Sequence, residues 1–370
     1  MGTRSSLFRL FSGQAVWMGV LSLAGSAALG PTVRVQSRAE IEGFVGSKRC
    51  AECHQDIASV QLDSDHARTL RKTEAIDELL KKVPVKFADE NNGVQYQLQR
   101  STRPDGKLDL TASKDGRTDK LQLIWGFGTG RKGITFIGRT EEGNFGQSRV
   151  SWYQRNGALD LTPGLETVVK DSFDALAEWQ TPSQTERCFS CHVTRQPDTR
   201  PDQITDEISG VQCERCHGPG RRHVEAVTQR ANEPGSAILN PRRMDQRGLI
   251  RFCGACHGEP PEESDLSAFS QIVLDRRSIR FPAKRLLLSR CYDESKGQLT
   301  CLTCHDPHDN LPKSLSHFDK KCQTCHSSKS LTNSVCPVAE ADCASCHMPR
   351  DEVVGHLDFV DHWIRKVGKK

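Results

Sequence analysis

One segment of the chain reads Gly210-Val211-Gln212-Cys213-Glu214-Arg215-Cys216-His217-Gly218-Pro219-Gly220-Arg221-Arg222-His223. Its centre has two cysteines three positions apart and a histidine directly after the second. Thiols at positions i and i+3 lie on one side of a helical turn, where they can form thioethers with the two vinyl groups of a porphyrin. The histidine at i+4 then faces the iron. This C-x-x-C-H box predicts a covalently attached c-type haem.

The same box occurs seven times and accounts for fourteen of the sixteen cysteines. The predicted thioether residues are Cys50, Cys53, Cys188, Cys191, Cys213, Cys216, Cys253, Cys256, Cys301, Cys304, Cys322, Cys325, Cys343 and Cys346. The predicted proximal iron ligands are His54, His192, His217, His257, His305, His326 and His347. A zinc module, the alternative, pairs two short motifs per metal and needs no histidine after every second cysteine. Seven complete boxes therefore favour seven covalent haems over zinc sites or a disulfide framework.

The composition indicates that the cofactors form much of the interior. Only 36% of the 370 residues are apolar and 6% are aromatic, which predicts a thin side-chain core. Seven porphyrins would supply the missing apolar bulk. We therefore expect a mainly α fold with much irregular chain, organised around covalent haems. The formal charge of +4 does not indicate nucleic acid as a partner, because haem propionates would pair with the excess of Lys and Arg.

A stretch of 133 residues without cysteine separates the first box from the second. Alternating apolar and polar residues, interrupted by turns rich in Gly, Pro and Asp, predict a small antiparallel β insert there. The predicted strands are residues 93–100, 107–113, 120–125, 133–139 and 148–153. The later boxes are separated by 20, 35, 43, 16 and 16 residues. Such short gaps place consecutive haems nearly in contact.

The boxes and the insert divide the chain into seven parts. We expect a signal peptide at 1–30, a first haem segment at 41–82, a β-rich insert at 83–180, a haem segment with boxes two to four at 181–260, a linker at 261–285, a haem segment with boxes five to seven at 286–350, and a ligand-bearing tail at 351–370.

The amino-terminal residues have the pattern of a secretory signal peptide. Arg4 and Arg9 precede an uncharged run from Leu10 to Val33, with small residues suited to cleavage near its end. An uncleaved anchor helix is the alternative, because the run is long enough to span a bilayer. Export to the periplasm agrees with the chemistry, since thioether attachment takes place outside the bacterial inner membrane in an oxidising compartment.

A second axial ligand is needed by every iron that only carries electrons. Of the thirteen histidines, six lie outside the boxes. These predicted distal ligands are His66, His223, His308, His317, His356 and His362. Six histidines cannot serve seven irons. Met244 is the one methionine that could bind the seventh, but an isolated methionine in a loop is more often a packing residue. We therefore expect at least one haem that is five-coordinate, or that binds water or a non-standard ligand.

Two cysteines, Cys291 and Cys336, lie outside the boxes and flank the fifth and sixth of them. In an exported chain, a leftover even pair most simply forms a disulfide. A regulatory thiol and an extra ligand are the alternatives.

Several segments resemble the multihaem cytochrome c-554 type, whose wider group includes hydroxylamine oxidoreductase and the cytochrome c nitrite reductases. The resemblance lies in FVGSKRCAECHQD at 44–56, SDHARTL at 64–70 and GVQCERCHGPGRRH at 210–223. It continues in SRCYDESKGQLTCLTCHDPH at 289–308 and DCASCHMPR at 342–350. It covers the haem boxes and their flanks, whereas the β insert adds little.

This resemblance implies closely stacked, mostly bis-histidine haems that move electrons in the periplasm, sometimes with one high-spin haem. It also implies that His223 and His308 are distal ligands of neighbouring haems. The chain departs from the nitrite reductases, because it has no C-x-x-C-K box. It also has no tyrosine placed like the cross-link of hydroxylamine oxidoreductase.

The leading hypothesis is a periplasmic heptahaem cytochrome that relays electrons between a donor and an acceptor protein. The alternative is a multihaem oxidoreductase that acts on a small nitrogen oxide, or a similar ligand, at a five-coordinate haem. A third hypothesis is a subunit associated peripherally with an inner-membrane respiratory complex, with the β insert as its contact surface.

Overall fold

Ten antiparallel strands between residues 70 and 179 form the main sheet of the protein. The computed structural model describes residues 43–366 except 104, 106, 196–203, 263, 328–335, 338, 340 and 355–356. These residues belong to one compact unit, 33–370. A separate two-stranded hairpin lies near the carboxyl end.

The strands are β1 Leu70–Lys72, β2 Val85–Asp89, β3 Val94–Arg100, β4 Leu108–Lys114, β5 Arg117–Phe127, β6 Gly133–Arg139, β7 Phe145–Ser148, β8 Val150–Tyr153, β9 Ala158–Leu161, β10 Ala177–Trp179, β11 Arg350–Val354 and β12 Leu357–Val360. The α-helices of the described residues are α1 Ser47–Ala51, α2 Gln55–Gln61, α3 Asp77–Leu80, α4 Ser172–Leu176, α5 Pro182–Ser190, α6 Cys213–His217, α7 Arg221–Thr228, α8 Gln246–His257, α9 Leu266–Leu274, α10 Pro282–Leu286, α11 Arg290–Glu294, α12 Cys301–Cys304, α13 Leu315–Gln323 and α14 Cys343–His347. The longest of these helices, α8, has 12 residues.

The sheet is a meander from β2 to β7, and its order is β10-β7-β6-β5-β4-β3-β2. Strand β1 pairs with the end of β5, and β8 joins β6 to β9. The tightest hairpin connects β4 to β5 through Asp115 and Gly116, whose φ angles are +50° and +78°. Two consecutive positive φ angles match the right-handed twist of the flanking strands, and Asp-Gly is a preferred pair for such a turn.

The expectation of a mainly α fold with a small β insert is wrong. The sheet extends from β1 to β10, and the five predicted strands are only its central part. The largest fully buried side chains, which include Trp125, Trp152 and Tyr96, all lie between residues 70 and 189. The low apolar content is an average over the whole chain. Because apolar residues are concentrated in this region, the sheet has a side-chain core of its own.

The sheet is connected directly to the second box. Two residues separate β10 from helix α5, which contains Cys188 and begins at a capping box formed by Thr181 and Gln184. Its Phe189 is buried beside Leu70 and Trp125 of the sheet. The position of the second box is therefore fixed by packing against the sheet.

A buried carboxylate connects the first and third box segments. Glu214, within the third box, is only 3% exposed. Its oxygens accept hydrogen bonds from the backbone N–H groups of Val45 (2.9 Å), Gly46 (2.8 Å) and Gly220 (2.8 Å). Charge-assisted bonds to three backbone donors are among the stronger hydrogen bonds in proteins. Glu214 thus holds the chain before the first box and the turn after the third box against each other.

We expect Glu214→Ala to lower the free energy of unfolding of the haem-loaded protein by about 3 kcal/mol, because it leaves three amide donors without their acceptor. Guanidinium unfolding followed by circular dichroism measures this loss. Glu52→Ala is the matched control within the first box, where the carboxylate is exposed and pairs only with Arg49, so its loss is expected below about 1 kcal/mol. Equal losses for the two variants would contradict the role given to Glu214.

Candidate haem sites

All seven boxes lie in the described part of the chain, on or at the end of short helices. Helices α6, α12 and α14 begin at the first cysteine of a box, whereas α1, α5, α8 and α13 carry the first cysteine near their carboxyl end. In the first, fifth and sixth boxes the histidine N–H donates to the carbonyl of the first cysteine, at 2.9–3.0 Å. The two thiols and the imidazole thereby share one helical turn, as covalent haem attachment requires.

Four box histidines face four of the histidines outside the boxes. The pairs of ring centres are His54 with His223 at 6.3 Å, His257 with His66 at 6.0 Å, His217 with His308 at 6.1 Å, and His305 with His362 at 6.1 Å. Stacked aromatic rings elsewhere in the protein have centres from 4.4 Å apart (Phe173 with Trp179) to 6.0 Å apart (Phe87 with Tyr96). Two imidazoles that bind one metal from opposite sides, each through a nitrogen about 2 Å away, have ring centres about 6 Å apart. The geometry of each pair therefore fits one iron between the rings.

Hydrogen bonds at Nδ1 set the tautomer of six imidazoles, four of which belong to these pairs. A carbonyl oxygen only accepts, so the Nδ1 that faces it carries the proton and Nε2 keeps the lone pair for a metal. The Nδ1 contacts to backbone oxygens are His66 to Pro307 (3.2 Å), His192 to Thr69 (3.1 Å), His217 to Leu239 (2.9 Å), His223 to Pro234 (2.9 Å), His347 to Arg365 (2.9 Å) and His362 to Val360 (3.0 Å). His305 differs, because its Nδ1 is buried without a partner among the described residues.

Burial also keeps several of the rings neutral. Burial, followed by the repulsion of neighbouring histidines, lowers the pKa of His257 and of His305 to about 4. Burial lowers the pKa of His192 and of His362 as well. Neutral imidazole is the form that binds a metal. These histidines are therefore suited to bind haem iron, both in their neutral charge and in their tautomer.

Contacts between different boxes show their order in space. The helices of the first and third boxes are in contact, as are those of the fourth and fifth, the fifth and sixth, and the sixth and seventh. Arg215 of the third box reaches Cys256 of the fourth at 3.8 Å, and the thiol of Cys191 in the second box reaches the carbonyl of Ala255 in the fourth, also at 3.8 Å. The boxes therefore follow the order one, three, four, five, six, seven, and the second box lies beside the fourth.

Two box histidines, His192 and His347, face no histidine from outside the boxes among the residues that the structure describes. Against His192 lies the ring of Phe127, at 5.1 Å and nearly perpendicular. His326 and His347 belong to the sixth and seventh boxes. Of the two remaining histidines outside the boxes, His317 is exposed on α13, next to Phe318, and His356 lies outside the described residues.

The expected disulfide is not supported. Cys291 is a free, partly buried thiol, and burial raises its pKa. Among its electrostatic neighbours is Cys325 of the sixth box.

Buried carboxylates near the boxes are a feature that the sequence analysis missed. In addition to Glu214, Asp319 of α13 is 5% exposed and accepts hydrogen bonds from the N–H groups of Asp342 and Cys343, both at 2.9 Å. This contact fixes the start of the seventh box on the helix that carries Cys322 of the sixth. Acidic residues are common throughout the chain, so no local signal distinguished these two.

Comparison with known proteins gives partial matches to multihaem cytochromes. The family model described as "Cytochrome c554 and c-prime" matches residues 157–218. Multiheme cytochrome MtrA of Shewanella baltica (strain OS185) is 22% identical over 156 residues, which cover 35% of this chain and 46% of that protein. Dissimilatory sulfite reductase MccA of Wolinella succinogenes is 29% identical over 169 residues, which cover 38% of this chain and 22% of that protein. The chain thus matches less than half the length of either relative.

A solved structure shows similarity over most of the fold. The crystal structure of Outer Cell Wall Cytochrome OcwA matches with a TM-score of 0.51 and 15% identity, over 87% of this chain and 80% of that one. At this identity the match concerns the fold alone. Together with the seven C-x-x-C-H boxes and the histidine pairs, these comparisons identify the chain as a multihaem c-type cytochrome.

Proposed function

We propose that this protein is an exported, periplasmic heptahaem cytochrome that relays electrons between a donor protein and an acceptor protein. Each bound haem supplies an iron that gains and loses one electron. The observation that carries the proposal is the continuous order of the boxes: the helices of the first and third boxes are in contact, Arg215 of the third box contacts Cys256 of the fourth, and the helices of the fourth to seventh boxes contact one another in turn. An uninterrupted row of haems would allow electrons to pass from one end of the protein to the other. Isolated haems would not.

In this proposal the chain has three tasks at each box. The fourteen box cysteines form thioethers, and the seven box histidines bind iron from one side. His223, His66, His308 and His362 bind the irons of the first, fourth, third and fifth boxes from the other side, while His317 and His356 serve two of the remaining three. An iron with a histidine on each side would be six-coordinate in both oxidation states, so little would have to move during electron transfer.

The ends of the row are the places where partner proteins would exchange electrons. The second box forms a branch at the fourth, because the thiol of Cys191 contacts the carbonyl of Ala255. The second box also packs through Phe189 against the sheet, most of which falls in the expected β-rich insert 83–180. We therefore assign the sheet as the contact surface for a redox partner, including a membrane-associated respiratory complex.

Export is part of the same proposal. Within the described ranges, no helix is both long and apolar enough to cross a bilayer. The signal-like residues 1–30 lie outside those ranges. The name of the structural relative, an outer cell wall cytochrome, supports a location outside the inner membrane, and thioether attachment takes place there.

The haem count is directly measurable. The exported, purified protein should carry a mass increment of seven haems, and pyridine haemochrome absorbance should give the same number. Replacing Cys213 and Cys216 with serine should remove one haem. The matched control replaces Cys291 and Cys336, the two cysteines outside the boxes, and should leave all seven in place. Fewer than seven haems on the unaltered protein would contradict the assignment of the boxes.

His308→Ala should convert one low-spin ferric haem to high spin, because it removes the ring that faces His217 at 6.1 Å. Electron paramagnetic resonance of the oxidised protein measures the change. Asp309→Ala is the control, since this exposed neighbour has no contact with an imidazole among the described residues. An unchanged low-spin spectrum for His308→Ala would remove this residue from the ligand set.

A second candidate function rests on the histidine count. Four of the six spare histidines face four boxes, so two remain for the second, sixth and seventh. At least one of these irons therefore lacks a second histidine and is open to a small ligand. That arrangement suits an oxidoreductase for a small nitrogen oxide.

The two functions predict different spectra. For the oxidoreductase, the unaltered protein should show a high-spin ferric signal that shifts when nitrite, nitric oxide or hydroxylamine is added. A high-spin signal that none of the three compounds shifts would favour the pure electron relay.

A further inference from the structure

A buried ion pair lies at the carboxyl end of the described chain. The carboxylate of Asp361 is 1% exposed and the guanidinium of Arg285 is 4% exposed. Arg285 donates from Nε to Oδ1 at 2.8 Å and from Nη2 to Oδ2 at 2.6 Å. Arg365 adds a third bond to Oδ2, also at 2.6 Å. Such a fork-shaped contact fixes the orientation as well as the position of the carboxylate.

The ion pair holds the backbone on both sides of His362. Asp361 directly precedes this histidine, and its Oδ1 also accepts a bond from the N–H of Trp363 at 3.0 Å. The hydroxyl of Ser289 donates to the carbonyl of His362 and accepts from the N–H of Ile364. The segment 361–364 is thus tied at several points to the region that contains α10 and α11.

This segment reaches two boxes. The ring of His362 faces His305 of the fifth box, whose own Nδ1 has no partner among the described residues. Three residues further on, the carbonyl of Arg365 accepts the Nδ1–H of His347 of the seventh box at 2.9 Å, and the N–H of Arg365 donates to the carbonyl of His347. In the histidine pair at the fifth box, therefore, only the His362 ring is held by a hydrogen bond among the described residues.

We propose that Asp361 and Arg285 are positioning residues that hold His362 opposite His305 and hold the Arg365 carbonyl against His347. One buried ion pair then sets the axial ligation at the fifth box and the imidazole orientation at the seventh. The inference rests on the proposed function, because it takes His362 to be the distal ligand of the fifth iron. It adds two residues that are neither iron ligands nor thioether cysteines.

The test uses the haem-loaded protein and the variant Asp361→Asn, which keeps the size of the side chain and removes its charge. We expect one haem's share of the low-spin ferric signal to become high spin, and added imidazole to restore it. Loss of an outer partner of a metal ligand typically costs about 10- to 100-fold in metal affinity or activity. We therefore expect the haem that becomes high spin to bind imidazole at least about tenfold more tightly than the same haem does in the unaltered protein. A general loss of folding would affect several haems and would not be reversed by imidazole.

Two comparisons separate the possible failures. His362→Ala should give the same high-spin signal, and combining it with Asp361→Asn should add nothing further. If His362→Ala changes no signal, the ligand assignment of the proposed function fails. If His362→Ala changes the signal and Asp361→Asn does not, only the positioning role is overturned.

Asp358→Asn is the matched control, because this carboxylate is 40% exposed and pairs with Lys132 and Arg350 at the surface. It should leave all low-spin signals unchanged. If Asp361→Asn yields no folded protein, the double variant Arg285→Met with Asp361→Leu removes both charges, and replacing a buried pair by apolar residues is commonly tolerated. Conversion of the same haem in this double variant supports the proposal, and an unaltered low-spin spectrum overturns it.

Discussion

The distance between two imidazoles that share an iron is the constraint on which this structure depends. Four histidine pairs stand 6.0–6.3 Å apart, which leaves room for a metal between nitrogens about 2 Å from it on each side. The rings are held by the chain around them, through carbonyl oxygens at Nδ1 and through the helical turn of each box. The chain outside the boxes therefore serves largely to fix imidazoles in space.

Each pair also joins segments that are far apart in sequence. His54 of the first box faces His223, which follows the third box; His217 of the third faces His308, which follows the fifth. If these rings bind iron as proposed, each haem site takes a ligand from another segment and neither is complete without its neighbour. Buried carboxylates support the same junctions. Glu214 connects the first and third box segments through backbone donors, and Asp319 does so for the sixth and seventh. A buried carboxylate is stable there because its oxygens are occupied by amide protons rather than by water.

The boxes could be predicted from the sequence because covalent attachment demands a fixed local spacing of cysteines and histidine. The central strands could be predicted too, because alternating apolar and polar residues and an Asp-Gly turn are local signals. The extent of the sheet could not be predicted. Strands β1 and β10 have three residues each, too few for an alternating pattern, and their pairing with β5 and β7 depends on tertiary contacts. The count of histidines indicated that one iron lacks a partner. Which histidine faces which box could not be read from the sequence, because the choice depends on how distant segments pack.

The two halves of the fold are stabilised in different ways. In the sheet, Trp152, Phe136 and the leucines of β4 and β5 form a large cluster of side chains that exclude water without help from a cofactor. Around the later boxes the helices are short, and the described apolar cluster of Ile250, Ala283, Leu286 and Tyr292 is small. Short helices gain little stability from their own hydrogen bonds, so their arrangement depends on thioethers, iron ligands and the few buried ion pairs. The second box lies between the sheet and the later boxes. Phe189 packs it against the sheet, and the thiol of Cys191 contacts the fourth box. The sheet is thus more than an insert beside the haems, because it gives the row of boxes one anchor whose position does not depend on the cofactors.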